Sequence, residues 1–242
     1  WSQNNITFEE YDLDNGLHVI LHEDHSTPIV AVTVLYHVGS KNENPERTGF
    51  AHFFEHLLFE GSENIGRGEF DNYVTNAGGA LNANTSQDRT FYFELLPSNH
   101  MELGLWLESE RMLHANIQTV GVETQREVVK EEKRQRVDNQ PYGSWRENMM
   151  KRLYTEHPYN WVPIGSMDHL NAAQLDEFMV FYKKFYIPNN ATLSIAGDID
   201  VENTKEMIEA YFGEIPSGIP VVQPTVVEPP LGGEKTATIY DN

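Results

Sequence analysis

Three residues in the first quarter of the chain have the types and the spacing of a metal-dependent hydrolase site. His52, Glu55 and His56 stand within the sequence RTGFAHFFEHLLFEGS. On a helix, residues three and four positions apart lie on the same face. The two imidazoles could therefore bind one metal ion, and the carboxylate between them could reach a water molecule on that ion. The pattern H-x-x-E-H is one of the arrangements that metalloproteases use.

The residues around this motif predict a helix with one buried side. Thr48 is the predicted N-cap, and Gly61 is the predicted end of the helical segment. A histidine pair at this spacing fits a structural or solvent-exposed role equally well, so the pair alone does not establish a metal site. The apolar residues that favour a buried side are Phe53, Phe54, Leu57 and Leu58.

A catalytic zinc ion needs three protein ligands and one open position. The candidate for the third ligand lies in the charged stretch QREVVKEEK, residues 125–133. Val128 and Glu132 are four residues apart, so a buried Val128 would turn Glu132 inward and Glu131 outward. The composition of this stretch, taken by itself, favours a solvated charged helix.

The bulk composition narrows the classes of function. The chain of 242 residues carries 17 basic and 37 acidic residues, a net charge of -20. This balance argues against nucleic acid as a partner, because phosphate binding needs clustered Lys and Arg. The absence of cysteine excludes thiolate zinc sites and cysteine nucleophiles, so His, Asp or Glu must hold any zinc ion. No apolar run approaches the roughly 20 residues of a transmembrane helix.

The remaining pattern predicts strands and helices without a regular alternation, which is typical of an α+β fold. A hairpin turn is predicted at DNG, residues 14–16, between two strands. The segment 236–240, after a Pro- and Gly-containing linker, is predicted to open another strand. Further strands are predicted at 29–36, 80–85, 90–95 and 191–196, and helices at 70–77, 98–115, 119–137, 144–153, 171–185 and 201–211.

The combination of HFFEH with the later REVVKEE resembles the M16 (pitrilysin-type) zinc metallopeptidases, which are inverzincins. The resemblance covers nearly the whole chain and includes NGLHVILHED, NAGGALNANTSQDRTFYF, PYGSW, PIGSMDHL and ATLSIAGDID. It implies a mixed, mainly antiparallel sheet packed with helices, the mitochondrial processing peptidase/LuxS-like metallohydrolase fold. It also implies a zinc-dependent endopeptidase that hydrolyses peptides or small unfolded proteins.

The resemblance assigns roles to individual residues. His52, His56 and Glu132 match the Zn²⁺ ligands, and Glu55 matches the general base on a zinc-bound water. At Gln125 the family usually has a supporting Glu seven residues before its ligand Glu. Glutamine can form hydrogen bonds but supplies no charge, and such outer groups tune metal sites by about 10–100-fold.

The resemblance also points to a substrate-binding edge strand. An exposed strand edge can pair with an extended peptide through backbone hydrogen bonds. Asn82 and Ala83 are the best candidates for contact with the substrate backbone, although the same residues could form an ordinary hairpin strand. The residues of the predicted substrate strand are Ala80, Leu81, Asn82, Ala83 and Asn84.

The resemblance further implies the N-terminal catalytic half of a bacterial two-domain protein. Residues 1–225 are expected to form the catalytic domain, and residues 226–242 a linker and the start of a following domain. A second half, or a partner subunit in a dimer, would complete the site, so the isolated half is expected to be weakly active. The lack of cysteine and a start without Met suit a periplasmic or secreted bacterial protein, while a cytoplasmic location stays open.

Two other functions compete with the peptidase. One is a non-catalytic scaffold or partner subunit of the same family. The presence of His52, Glu55, His56 and Glu132 argues against it, since a scaffold needs none of them. The other is a metal-free binding domain whose histidines are structural.

Overall fold

The structure of the protein is a computed structural model that describes residues 6–240. A six-stranded sheet forms its centre. The strands are β1 (Glu9–Asp12), β2 (His18–Glu23), β3 (Ile29–Tyr36), β4 (Ala80–Thr85), β5 (Thr90–Pro97) and β6 (Ala191–Gly197). The α-helices are α1 (Phe50–Leu57), α2 (Glu69–Asn76), α3 (Met101–Leu113), α4 (Thr119–Lys133), α5 (Trp145–Leu153), α6 (Met167–Ala172), α7 (Leu175–Phe185) and α8 (Val201–Phe212).

The strand order in the sheet is β1-β2-β6-β3-β5-β4. Strands β2 and β6 are parallel, and every other neighbouring pair in this sheet is antiparallel. The prediction of an α+β fold with a mixed, mainly antiparallel sheet is therefore confirmed. The order also leaves β4 at one edge of the sheet, paired only with β5 among the described strands.

The core lies where helices cover the central strands. Alternate residues of β3 are fully buried, as expected for a strand with one face against the core. Helix α3 packs on β3 and β5, and helix α8 packs on α3 and β2. Gly104 permits the close approach of α3, because a Cβ atom there would lie 2.9 Å from the Val32 side chain.

Two predicted elements differ from the structure. The helix predicted over 171–185 is divided into α6 and α7, because Gln174 and Glu177 form a capping box that begins a new helix. The strand predicted at 236–240 is wrong: this segment is irregular and pairs with no strand of the sheet. The other predicted helices and strands agree with the observed bounds to within a few residues. The proposed division at residue 225 stays a prediction.

Candidate metal centre

The motif helix α1 is held at its N-terminus by a glutamate from the preceding loop. Glu43 accepts hydrogen bonds from the backbone N–H groups of Gly49 (3.0 Å) and Ala51 (2.8 Å). The prediction of Thr48 as N-cap is wrong. Gly49 occupies that position with a left-handed backbone (φ 94°), and the Thr48 hydroxyl instead contacts Nδ1 of His169 at 2.8 Å.

The other end and the apolar side of α1 are also fixed. Arg111 donates from Nη1 to the carbonyl of Leu58 at 2.7 Å. This carbonyl at the end of the helix has no intrahelical hydrogen-bond donor, and Arg111 supplies one. Phe53 and Phe54 are fully buried, and the Phe54 ring packs 5.1 Å from that of Tyr186. The motif residues therefore project from a helix whose position is set from three directions.

Helix α4 presents Glu132 to α1, although not for the reason that the sequence suggested. Val128 is 44% exposed, and its neighbour Val129 is the buried residue. Glu132 lies three residues after Val129, so it faces α1 at the border of the buried side of the helix. Glu131 points to solvent, where it pairs with Arg134 at 3.1 Å.

Helix α4 is positioned by two of its side chains. Arg126 is buried and donates to the carbonyls of Leu170 and Ala173, which lie at the C-terminal end of α6. Gln125 donates to Oε1 of Glu60 at 2.6 Å, in the turn that follows α1. Gln125 thus links α4 to the segment after the motif helix, and its contact in the structure is with Glu60 and not with the histidines.

The two helices bring the three predicted ligands together. Nε2 of His52 lies 3.4 Å from Oε2 of Glu132, and Nε2 of His56 lies 3.3 Å from the same oxygen. Ligand atoms from all three side chains lie within 4.8 Å of one another. Among residues 6–240, no other group of three His or acidic side chains has ligand atoms this close together.

The separation of these atoms fits zinc. Ligands at 2.0–2.1 Å from a tetrahedral zinc ion are about 3.3–3.4 Å apart. The two distances to Glu132 match that separation. The fourth ligand position would remain for water, as in catalytic zinc sites. Nδ1 of His52 is buried without a hydrogen-bond partner among the described residues, so packing orients this ring.

The protonation states also fit a metal ion, which binds neutral imidazole and ionised carboxylate. Burial, together with the neighbouring His56, lowers the pKa of His52 to about 4. A hydrogen bond from His56 lowers the pKa of Glu132, with the charges of the neighbouring histidines acting in the same direction. His52 is therefore neutral and Glu132 is ionised near pH 7.

Glu55 lies beside this centre and is partly buried. Its Oε2 accepts a hydrogen bond of 2.6 Å from the hydroxyl of Thr85, the last residue of β4. Burial raises the pKa of Glu55, and the hydrogen bond from Thr85 opposes this shift. The sequence did not identify Thr85 as a site residue, because its contact with Glu55 spans 30 positions.

The predicted substrate strand is the edge strand β4. Ala80, Asn82 and Asn84 are exposed, while Leu81 and Ala83 are partly buried. One side of β4 pairs with β5 from Ala80–Leu95 to Thr85–Thr90, and no described strand covers the other side. The strand runs into Thr85, so its open edge leads to the carboxylate of Glu55.

Arg136 also lies at the site, although no sequence pattern had identified it. Its Nη1 forms an ion pair with Oε1 of Glu132 at 2.7 Å, on the carboxylate oxygen that does not face the histidines. The spacing i, i+4 is a signal for such a pair within a helical segment. The local helix changes to a π-helical turn over residues Arg134–Asp138, which carries Arg136 beside the site.

Two family models match the chain. The model described as insulinase (peptidase family M16) matches residues 18–162, which include all four motif residues. The model described as the peptidase M16 inactive domain matches residues 172–241. Strand β6 of the second range lies between β2 and β3 of the first, so both ranges contribute to one sheet. The chain belongs to peptidase family M16, a family of zinc metallopeptidases whose cofactor is Zn²⁺.

Relatives with curated names agree with this assignment. The chain is 35% identical over 237 residues to the zinc protease PqqE of Helicobacter pylori, covering 96% of this chain and 53% of that protein. It is 29% identical to the probable zinc protease PqqL of Escherichia coli, covering 85% of this chain and 23% of that protein. The chain thus spans about half of the Helicobacter pylori relative.

Solved structures show the same fold. The crystal structure of a protease from Helicobacter pylori superposes with a TM-score of 0.87 at 35% identity, covering 92% of this chain and 54% of that one. The first half of the periplasmic protease PqqL from Escherichia coli gives a TM-score of 0.80 at 28% identity, covering 91% of this chain and 49% of that one.

Proposed function

We propose that this chain is the catalytic half of a zinc endopeptidase that hydrolyses peptides or small unfolded proteins. The observation that carries the proposal is the convergence of His52 and His56 on one oxygen of Glu132, at distances that fit tetrahedral zinc. These three residues would hold Zn²⁺, and Glu55 would act as the general base. Bound zinc would polarise the scissile carbonyl and acidify the attacking water.

The protein groups then have defined tasks. Glu55 removes a proton from the attacking water and delivers it to the leaving amine. Its burial supports this double role, because a raised pKa brings a carboxyl group closer to neutral pH. Thr85 holds one carboxylate oxygen, so that the other is directed to the reacting water.

The open edge of β4 provides a place for the substrate. An extended peptide would add to the sheet as a further strand, with its backbone bonded to residues Ala80 to Asn84. Backbone pairing accepts many sequences, which suits an enzyme for unfolded chains. Because β4 ends at Thr85, a peptide on this edge would reach the metal centre.

The whole protein would carry a second, similar half. The chain spans 53% of the Helicobacter pylori relative, and the missing length is enough for another domain of this size. The Escherichia coli relative PqqL is described as periplasmic, and we propose the same compartment here. Among residues 6–240, no helix has both the length and the apolar character needed to cross a membrane.

The first experiment measures zinc and peptide hydrolysis separately. Purified chain is expected to retain equimolar zinc, and His52→Ala and Glu132→Gln are expected to lose it. Glu55→Gln is expected to keep zinc but to lower kcat by about 10²–10⁴-fold, because proton transfer is lost. Hydrolysis is measured on quenched fluorescent peptides, with this chain alone and with a longer protein that includes the second half.

The matched control is Glu131→Gln, because Glu131 adjoins Glu132 but faces solvent. This variant is expected to keep both zinc and activity. Zinc binding that survives in His52→Ala would contradict the proposed ligands. Full activity in Glu55→Gln would contradict the proposed base.

A further inference from the structure

A cavity of about 410 Å³ opens beside the candidate metal centre. Part of its lining consists of His52, Thr85 and Glu132, so a molecule in the cavity would lie next to the reacting groups. The lining also includes Arg136, from the π-helical turn after α4, and Arg146, from α5. We refer to this space, with its two arginines, as the arginine pocket.

The two arginines differ in what they already bind. Arg136 forms an ion pair with Oε1 of Glu132 at 2.7 Å, but 76% of its side chain is exposed, so much of its guanidinium group remains accessible. Arg146 is exposed, and its side chain forms no ion pair or hydrogen bond with another described residue. Each guanidinium group has five N–H donors, and one contact leaves most of them free.

The acidic residues of the pocket face other groups and, within residues 6–240, leave Arg146 unpaired. Glu147 lines the cavity, but its carboxylate is paired with Lys151 at 2.7 Å and lies 3.9 Å from Lys133. Glu132 directs one oxygen at the two histidines, and a zinc ion bound there would neutralise its negative charge. The pocket therefore presents two guanidinium groups, of which that of Arg146 has no carboxylate partner among the described residues, on a chain whose net charge is -20.

We propose that the arginine pocket binds a carboxylate of the peptide substrate close to the scissile bond. Guanidinium groups recognise carboxylates through paired, charge-assisted hydrogen bonds. The carboxylate could come from an acidic side chain or from the C-terminus of the peptide, because both present the same group. Trp145 and Ile164 also line the cavity, and they would cover the methylene groups of such a side chain. This inference rests on the proposed peptidase function.

The test uses matched pairs of quenched fluorescent peptides and the longer protein that includes the second half. One set carries Glu or Gln at each position around the cleaved bond, and the other set ends in a free or an amidated C-terminus. The expected result is that one Glu or one free C-terminus raises kcat/KM by about fivefold, as for an exposed ion pair. The set that shows the effect identifies the source of the carboxylate.

The decisive variant is Arg146→Gln, because Arg146 contacts neither a proposed ligand nor Glu55. It is expected to abolish the ratio of kcat/KM between the acidic and the neutral peptide. Arg152→Gln, on the same helix and outside the lining of this cavity, is expected to preserve that ratio. As a second measurement, peptide binding to the Glu55→Gln protein is followed by fluorescence anisotropy, and it should show the same preference.

The outcomes separate the two proposals. Equal kcat/KM for every matched pair, with peptides still cleaved, overturns the arginine pocket and leaves the peptidase function intact. A preference that persists in Arg146→Gln also overturns the pocket. Failure to cleave or bind any peptide counts against both proposals.

Discussion

Two clusters of charged side chains contact the motif helix. They differ in whether their charges are paired within the protein or could bind a ligand. At the metal centre, His52, His56 and Glu132 converge on one point beside an open cavity. At the other cluster, Arg111 and Glu108 form a fully buried ion pair at 3.0 Å, with Arg111 also bound to the end of α1. We call this second group the buried charge cluster.

The buried charge cluster is neutralised internally. The guanidinium group of Arg111 lies over the rings of Phe59, Phe70 and Tyr92, at 4.2 to 4.8 Å from their centroids. Glu94 lies 3.6 Å from Arg111, and burial raises its pKa well above its usual range, with the nearby Glu108 acting in the same direction. A protonated Glu94 leaves one positive and one negative charge, which cancel.

The two clusters differ in whether their charges are already paired within the protein. In the buried charge cluster, each charge has a partner of opposite sign within the protein. Such a cluster stabilises the packing of the elements that carry it and has no free charge to bind a ligand. The candidate metal centre instead brings three possible ligand atoms together and borders a cavity, so its geometry suits an added cation. The buried charge cluster should therefore control stability, and the metal centre should control function.

The largest expected effect comes from Arg111→Met. This change leaves Glu108 as a buried, unpaired carboxylate and removes the donor to the carbonyl of Leu58. The free energy of unfolding should fall by about 3–5 kcal/mol, the usual result of removing one partner of a buried ion pair. Urea denaturation monitored by circular dichroism measures the change.

The matched variant at the metal centre is His56→Ala, studied in zinc-free protein. It should lower the free energy of unfolding by less than about 1 kcal/mol, because it breaks no enclosed pair. Adding Glu108→Leu to Arg111→Met should restore part of the lost stability. Equal effects of Arg111→Met and His56→Ala would remove the distinction between the two clusters.

The sequence predicted the parts of this arrangement that depend on short spacings. The face shared by His52, Glu55 and His56 follows from helical periodicity, and most strands followed from alternation and turn residues. The pairing of α1 with α4 came from the family resemblance, since local spacing says nothing about two helices that are distant in the chain. The prediction that Val128 is buried was wrong, because two adjacent valines leave the buried position undetermined and Val129 occupies it.

The contacts that the sequence did not predict join segments far apart in the chain. Glu43 and Arg111 are ordinary charged residues by composition, and only the tertiary structure places them at the two ends of α1. The break between α6 and α7 had a local signal, since Gln174 and Glu177 have capping-box spacing. The charged side chains at the two ends of the motif helix therefore could not be identified from patterns within one element.

Glu43 is an intermediate case between the two clusters, because it is buried but has three N–H donors around it. Those donors are Gly49, Ala51 and Trp161. Burial raises the pKa of Glu43 to about 8, above its value in an unfolded chain. The folded state therefore binds more protons, and the stability that Glu43 contributes is present at low pH and is lost as the pH rises toward 8.

The variant Glu43→Gln isolates this contribution. The stability of the wild-type protein relative to Glu43→Gln should fall by about 1 kcal/mol per pH unit between pH 5 and pH 8. Urea denaturation at several pH values in this window measures the difference, with Glu46→Gln on the same loop as the exposed control. A difference that stays constant with pH would show that Glu43 is ionised throughout.

Thr85→Val should produce the smallest effect, and it should appear in catalysis and not in stability. The variant keeps the shape of the side chain but removes the hydroxyl that donates to Glu55. Loss of one such hydrogen bond, about 1 kcal/mol, should lower kcat about fivefold through misorientation of the base. Zinc content and the KM of a peptide without an acidic group should stay unchanged, because Thr85 is not a proposed ligand and lies outside the residues of β4 proposed to pair with the peptide backbone.

Thr85→Ser separates orientation of the base from packing at the end of β4. Serine restores the hydroxyl donor but lacks the methyl group, so kcat should return toward the wild-type value. A low kcat in both variants would mean that the methyl group is the important part of Thr85. Recovery in Thr85→Ser alone would establish that the metal centre, unlike the buried charge cluster, depends on a hydrogen bond that aims a carboxylate at a reacting molecule.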